Sequence, residues 1–268
     1  MATPFRTKVV RTAAAVTAIG ALFTLTACAG ENAATNTETG GADTLNLDYA
    51  TYNPLSIVIK EQGFLEEDLD GVTVNWVKSA GSNKANEALR AEAIDIGSTA
   101  GSAALLNRAN GAPIKTVMLY SQPEWAAMVT TEDSSVQSVE DLKGKSVAAT
   151  KGTDPYFFLI QTLAEAGLEL SDVTVQNLQH ADGWSALQNG SVDAWAGLDP
   201  IMAGAEADGA TLFHRNLDFN TYGALNANES FIEESPELVE AVIDAYARAA
   251  EWAAENPDET AQLLADEA

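Results

Sequence analysis

The chain has 268 residues, of which 46% are apolar, 20% charged and 7% aromatic. This is the composition of a globular protein with one large domain or two ordinary ones. Its single cysteine excludes a disulfide framework and a cysteine-rich zinc or iron–sulfur site. The formal net charge of −25 leaves no surplus of Lys or Arg to neutralise phosphates, so we expect no nucleic-acid partner.

The N-terminus combines early basic residues with an uncharged stretch, residues 13–27 (AAAVTAIGALFTLTA). The stretch is shorter than the roughly 20 residues that span a bilayer and is typical of a secretory signal peptide. It ends at Leu25-Thr26-Ala27-Cys28, which resembles a bacterial lipobox. The resemblance implies cleavage of a signal peptide, residues 1–27, and lipid attachment to Cys28. The alternative is an ordinary signal peptide with an incidental cysteine. Residues 28–44 are polar and small, and we predict a flexible tether there.

Beyond the tether, short apolar runs alternate with helical patterns in two blocks. The first block has predicted strands at residues 45–49, 72–76, 94–96, 114–120 and 125–130, with helices at 55–62, 83–93 and 99–109. The second has strands at 146–149, 174–178 and 192–196, with helices at 138–142, 155–166, 184–188 and 201–208. A last strand begins near residue 222 and leads into a long helix at 237–255. This order indicates an α/β fold of two lobes with mostly parallel sheets.

Five prolines follow a residue that can cap a helix, as in Asn53-Pro54 and Asp199-Pro200. Proline at the first helical position loses no hydrogen bond, and the preceding side chain can accept from free amides. Helices are therefore predicted to start at Pro54, Pro155, Pro200, Pro236 and Pro257.

Three turns rich in glycine and small hydroxyl residues each follow a predicted strand and open a helix: residues 79–83 (SAGSN), 97–102 (GSTAGS) and 151–155 (KGTDP). Such a helix start presents unpaired amides and a partial positive charge. Because open α/β sheets bind ligands at the carboxyl ends of their strands, three such turns predict a shared anion site. None of them carries a nucleotide-binding signature.

The sequence contains few residue patterns that are typical of a catalytic site. The only histidines are His180 and His214, and they lack metal-binding spacing. His180 could reach a ligand, or could be a polar turn residue without chemistry. There is no Gly-x-Ser-x-Gly sequence. We therefore expect no enzyme activity, no metal and no cofactor.

The motifs together resemble those of solute-binding proteins of ABC importers, in the branch that serves aliphatic sulfonates, with taurine and nitrate binders nearby. The resemblance covers the chain from residue 45 onward. It is carried by residues 51–55 (TYNPL), 82–85 (SNKA), 95–99 (DIGST), 139–145 (VEDLKGK), 151–153 (KGT), 190–195 (GSVDAW) and 199–200 (DP).

The resemblance implies a type II periplasmic-binding-protein fold, in which two hinge-linked lobes close on a ligand in the cleft between them. Lobe 1 would comprise residues 45–128 and 226–268, and lobe 2 residues 129–225. The implied function is a lipid-anchored, monomeric receptor outside the cytoplasmic membrane, which delivers a small organosulfonate to an ABC permease. Nitrate, taurine or a pyrimidine-type solute, or an extracytoplasmic enzyme on the same scaffold, are the alternatives.

Carried over by motif, the expected ligand-binding residues are Tyr52, Asn53, Ser82, Asn83, Ser98, Thr99, Gly152, Thr153, Trp195 and Asp199. Trp195 could instead belong to the core of its lobe, and Asp199 could only cap the helix after Pro200. Asp154 adds a carboxylate beside a predicted anion turn. It could pair with the cationic part of a zwitterion, or face away as a helix cap.

The C-terminus is the last feature predicted from the sequence. A helix begins at Pro257, and after it only Leu263 and Leu264 are large apolar residues, with no helix stop. Because relatives of this kind generally continue with further helices, we expect that the chain is incomplete there. A naturally short chain whose last helix frays is the alternative.

Overall fold

A computed structural model describes residues 42–268. The predicted signal peptide, Cys28 and most of the predicted tether lie outside the described residues. In the part of the chain that the structure describes, no helix has the length and apolar character needed to cross a membrane.

Ten strands form two five-stranded sheets. Their bounds are β1 Thr44–Tyr49, β2 Thr73–Lys78, β3 Ile96–Ala100, β4 Ile114–Ser121, β5 Ala126–Thr130, β6 Ser146–Ala148, β7 Thr174–Gln176, β8 Ala194–Leu198, β9 Thr211–His214 and β10 Gly223–Asn228. The α-helices are α1 Pro54–Gln62, α2 Phe64–Asp68, α3 Ser82–Arg90, α4 Gly101–Ala109, α5 Asp154–Glu165, α6 His180–Gln188, α7 Ile201–Ala207, α8 Glu229–Glu234, α9 Pro236–Glu255 and α10 Pro257–Glu267.

The two sheets share one plan. The first has the order β2-β1-β3-β10-β4 and the second β7-β6-β8-β5-β9. In each, three parallel strands are joined by an antiparallel strand that arrives from the other sheet, β10 in the first and β5 in the second. The sheets are therefore mixed, whereas mostly parallel sheets were predicted.

The chain crosses between the sheets twice. We call residues 122–125, between β4 and β5, the first crossing segment, and residues 215–222, between β9 and β10, the second. The side-chain Oδ1 of Asn220 accepts from the backbone N of Ala126 at 2.8 Å, which ties the second crossing segment to the start of β5. The predicted lobe boundary at residue 128 falls inside β5, which pairs only with strands of the second sheet.

Each lobe has its own apolar core, and a third cluster joins the lobes. In the first lobe α9 covers the sheet with Val242 and Tyr246. In the second, Trp195 packs with Val129 and Leu187. The joining cluster brings Tyr52 and Ala100 of the first lobe together with Phe158 and Leu198 of the second. The two lobes are thus in apolar contact in this structure.

The proline-based helix starts are confirmed. Three helices begin at Pro54, Pro236 and Pro257; α5 begins one residue before Pro155, and α7 one residue after Pro200. The expected side-chain caps are absent at Asn53, Ser235 and Asn256. Each of these side chains has another partner: Tyr246 Oη, the backbone N of Ala42 and the backbone O of Trp252, respectively.

The helix predicted at residues 99–109 begins two residues too early, because Thr99 and Ala100 belong to β3 and the helix starts at Gly101. β3 is a central strand, with β1 on one side and β10 on the other, and these long-range pairings extend it through the predicted turn. Strand β9 and helices α2 and α8 were not predicted.

Candidate functional site

Two adjoining pockets lie at the carboxyl ends of strands from both lobes. The wide pocket, about 460 Å³, is lined by Thr51, Tyr52, Asn53, Pro54, Leu55, Tyr120, Ser121, Pro123, Trp125, Asp199, Pro200, Ala250, Ala253, Thr260 and Leu264. The narrow pocket, about 10 Å³, is lined by Tyr52, Ser82, Ala100, Trp125, Thr153, Asp154, Pro155 and Leu198. Tyr52 and Trp125 are common to both. The narrow pocket has room for about one water molecule, so the structure describes a closed arrangement of the lobes.

Tyr52 and Asn53, in the turn between β1 and α1, are both buried beside the wide pocket. The Tyr52 hydroxyl donates to the backbone O of Ser98 at 2.8 Å. Asn53 Nδ2 donates to Tyr246 Oη at 2.8 Å, while Asn53 Oδ1 has no partner among the described residues. The structure thus places both predicted residues at a pocket and gives each a bond to its own lobe.

Ser98 and Thr99 lie on strand β3, with their polar groups already paired. The backbone N of Ser98 donates to Asp48 Oδ1 at 2.7 Å, and its hydroxyl lies 3.3 Å from Asp48 Oδ2. Thr99 Oγ1 accepts from Asn226 Nδ2 at 2.9 Å. Neither residue lines the wide or the narrow pocket. Their prediction as turn residues was wrong, because the strand continues through them.

Ser82 and Asn83 start helix α3 in the first lobe. The Ser82 hydroxyl accepts from the backbone N of Ala100 at 2.9 Å and lines the narrow pocket. The backbone amides of Ser82 and Asn83 donate to no described residue. Two unpaired donors therefore stand at a helix N-terminus, where the helix dipole favours a negative charge.

The matching turn of the second lobe precedes α5. Gly152 has a φ of +82°, a conformation that favours glycine. The Thr153 hydroxyl donates to the backbone O of Thr150 at 2.7 Å, which fixes the turn. The consecutive backbone amides of Gly152, Thr153 and Asp154 donate to no described residue. Successive free amides around a left-handed residue form an anion-binding concavity.

The Asp154 carboxylate is buried and accepts four hydrogen bonds. Oδ1 accepts from Ser102 Oγ at 2.6 Å and from Thr221 Oγ1 at 2.9 Å. Oδ2 accepts from Trp125 Nε1 at 2.7 Å and from the backbone N of Thr221 at 2.8 Å. The expectation of a helix cap facing away was therefore wrong. The side chain instead joins α5 to α4 of the first lobe and to both crossing segments.

Trp195 and Asp199 take the alternative roles given above, a core residue and a helix cap. Trp195 is 1% exposed, packs on Trp184 at 6.1 Å between ring centroids, and lines neither pocket. Asp199 lines the wide pocket, and its Oδ1 accepts from the backbone N of Ala203 at 3.0 Å in the first turn of α7. Burial raises the pKa of Asp199 above its ordinary value. Trp195 therefore supports the core, and Asp199 both caps a helix and borders a pocket.

His180 begins helix α6 and is 2% exposed, although the sequence favoured a polar turn residue. Burial lowers its pKa to about 4, so the imidazole is neutral near pH 7. Trp125 and Tyr120 line the wide pocket but were not predicted from the sequence, which offers no motif at either position. Asp154 was noted beside an anion turn, but its contacts with Ser102 and Trp125 were not predicted. Among residues 42–268, no cluster of three or more His, Cys, Asp and Glu side chains is placed to hold a metal ion.

Comparisons with known proteins agree on one family and fold. A family model described as NMT1/THI5 like matches residues 54–260. An aliphatic sulfonates-binding protein of Escherichia coli (strain K12) is 27% identical over 226 residues, covering 83% of this chain and 71% of that protein. One of the same name from Bacillus subtilis (strain 168) is 28% identical over 216 residues, covering 78% of this chain and 65% of that protein, just under two thirds of its length.

Among solved structures, the alkanesulfonate-binding protein SsuA from Xanthomonas axonopodis pv. citri, bound to MOPS, matches with a TM-score of 0.80 at 25% identity, covering 84% of this chain and 79% of that chain. The desulfurization enzyme DSZB matches with a TM-score of 0.61 at 17% identity, covering 84% of this chain and 80% of that chain, and thus shares the fold alone. The predicted two-lobed periplasmic-binding-protein fold is confirmed.

Proposed function

The chain belongs to the NMT1/THI5-like family, and from this premise we propose that it is the extracytoplasmic solute-binding protein of an ABC importer, which captures a small organosulfonate and delivers it to the permease. One observation carries the proposal. Free backbone amides at the N-termini of α3 and α5, one helix from each lobe, adjoin the narrow pocket. Both sulfonate-binding relatives and the MOPS-bound neighbour are compatible with this assignment.

The sulfonate head would bind to these amides. A sulfonate only accepts hydrogen bonds and spreads one negative charge over three oxygens, so uncharged donors at helix N-termini match it. The Asp154 carboxylate lines the same pocket and would repel an anion, but its four donors offset part of that charge. Because the narrow pocket is smaller than a sulfonate, the head enters only after the lobes open about the crossing segments.

The wide pocket would hold the organic group of the ligand. Its volume of about 460 Å³ lies in the range of small-molecule sites, and its lining is mainly aromatic, aliphatic and proline side chains. Tyr52 and Trp125 separate it from the narrow pocket, so one ligand can place its head in one pocket and its apolar part in the other.

The site of action would be the outer face of the cytoplasmic membrane. Cleavage before Cys28 and acylation of its sulfur would anchor a monomeric protein, with residues between Cys28 and β1 as the tether. The hinge between the lobes would lie at the two crossing segments, close to the lobe boundaries predicted at residues 128 and 225. A Cys28→Ala variant tests the anchor: it should lack the acyl mass and leave the membrane fraction, and unchanged membrane retention would contradict the anchor.

The ligand class is tested by a thermal-shift screen of alkanesulfonates, taurine, nitrate and pyrimidines. A ligand present at 100 times its dissociation constant stabilises the folded state by about 2.7 kcal/mol. A shift with organosulfonates and none with the others supports the proposal. A shift with nitrate or a pyrimidine alone would keep the transport role and change the ligand. A ligand that is chemically altered on incubation would favour an enzyme.

A further inference from the structure

His180 presents an unused hydrogen-bonding atom at the interface between the lobes. It starts α6 in the second lobe, and its Nε2 is buried without a partner among the described residues. A buried polar atom without a partner destabilises the folded state, so its presence in a closed cleft indicates that another group pairs with it.

The tautomer of His180 follows from its neighbour Thr150. The Thr150 hydroxyl has one hydrogen, which it donates to the backbone O of Leu178 at 2.6 Å. The 3.3 Å contact between Thr150 Oγ1 and His180 Nδ1 is therefore an N–H donated by the imidazole. Because the ring is neutral, Nε2 carries a lone pair and can only accept a hydrogen bond.

A second unused acceptor comes from the opposite lobe. Asn83 Oδ1, at the start of α3, is also buried without a described partner. A Cβ placed on Gly81 would lie 2.8 Å from Asn83 Oδ1 and 3.0 Å from His180 Nε2, so both atoms surround one point beside Gly81. Gly152 of the second lobe lies close to Asn83, since a Cβ added to Gly152 would be 3.6 Å from Asn83 Cβ.

We propose that Asn83 and His180 form a specificity pair that recognises a hydrogen-bond donor on the ligand. Neither residue of the pair lines the narrow pocket, but Asn83 directly follows Ser82, which does. Gly152, which lies beside Asn83, directly precedes Thr153 of the same pocket. This inference rests on the proposed function. It narrows the proposed ligand class from organosulfonates in general to sulfonates that carry an O–H or N–H group on a short chain. The donor would satisfy acceptors that closure otherwise leaves unpaired.

Calorimetry at pH 7 with three matched ligands tests the pair: ethanesulfonate, 2-hydroxyethanesulfonate and 2-aminoethanesulfonate, on the full chain. We expect wild type to bind at least one donor-bearing ligand about tenfold more tightly than ethanesulfonate. His180→Phe should abolish that preference. The control is His214→Phe, at the other histidine, which packs on Phe158 and Phe219 away from both pockets.

Asn83→Ala, at a partly exposed position, repeats the test should His180→Phe fail to fold. Asn83→Asp should distinguish the two donor-bearing ligands, because a carboxylate at this position would favour 2-aminoethanesulfonate over 2-hydroxyethanesulfonate. Equal affinities of wild type for all three ligands would overturn the specificity pair but not the proposed function. The two unpaired atoms would then be explained by a hydrogen bond from the Asn83 amide to His180. A preference that survives both His180→Phe and Asn83→Ala would overturn it too. No binding of any sulfonate would overturn the proposed function as well.

Discussion

The carboxylate of Asp154 accepts a hydrogen bond from the indole Nε1 of Trp125 at 2.7 Å. Trp125 ends the first crossing segment, while Asp154 starts α5 in the second lobe. The same carboxylate binds Thr221 of the second crossing segment and Ser102 of the first lobe. One buried side chain therefore links the second lobe to the first lobe and to both crossing segments.

Asp154→Asn should loosen the closed arrangement. The asparagine Oδ1 can keep the bonds from Trp125 Nε1 and Thr221 N only if the NH₂ group faces the Ser102 and Thr221 hydroxyls, which must then accept. All four hydrogen bonds lose the charge of the carboxylate and become weaker. We expect a loss of about 1–3 kcal/mol in the free energy of unfolding. The radius of gyration without ligand, measured by X-ray scattering, should increase. Asp182→Asn, on the exposed side of α6, is the control. An unchanged radius and melting temperature would show that Asp154 does not hold the lobes together.

Two substitutions at Thr153 distinguish the role of its backbone amide from that of its side chain. Thr153→Pro removes the amide proposed to bind the sulfonate, whereas Thr153→Val keeps the amide and removes only the hydroxyl bond to Thr150. The proline variant should bind an alkanesulfonate at least about tenfold more weakly than the valine variant in calorimetry. Equal affinities of the two variants would mean that the turn is only structural.

A larger side chain in the wide pocket should weaken the binding of long alkanesulfonates more than that of short ones. Ala253 lines this pocket from α9, and its neighbour Ala254 is exposed. Ala253→Trp should weaken hexanesulfonate binding, since each buried CH₂ contributes about 0.8 kcal/mol, and should leave methanesulfonate unaffected. Ala254→Trp serves as the matched control. If both ligands kept their affinity in Ala253→Trp, the organic group would bind elsewhere.

Asp48 should make stability fall as the pH rises. Burial raises its pKa from 3.8 to about 7, against the opposing hydrogen bonds from Ser98. The folded state therefore binds its proton more tightly than the unfolded state, and the resulting stability is complete below pH 3.8 and lost as the pH rises through about 7. His180 acts in the opposite direction, because its lowered pKa costs stability as the pH falls from 6.5 towards 4.

Comparison with Asp48→Asn isolates this effect, since His180 is common to both proteins. Between pH 4 and 7, denaturant titrations should show wild type losing a few kcal/mol relative to the variant. A constant difference between the two unfolding free energies across this range would show that Asp48 titrates normally.

Local features of the sequence predicted the helix starts. The features that the sequence did not predict, such as the extent of β3 and the partners of Asp154, depend on long-range contacts. Proline fixes its own φ, so the starts of α1, α9 and α10 could be predicted to the residue. Ser98 and Thr99 have turn composition but belong to a strand because β1 and β10 pair on either side of it. Asp154 binds residues 29, 52 and 67 positions away in the chain, so no local pattern could assign its partners.

Calorimetry followed by recovery of the ligand can show whether the protein captures an organosulfonate and releases it chemically unchanged. The full chain is titrated with an alkanesulfonate, and the bound fraction is then released and identified by mass spectrometry. We expect saturable binding of about one ligand per chain and recovery of the sulfonate with its mass unchanged. No binding of any sulfonate, or recovery of a desulfonated product, would contradict it.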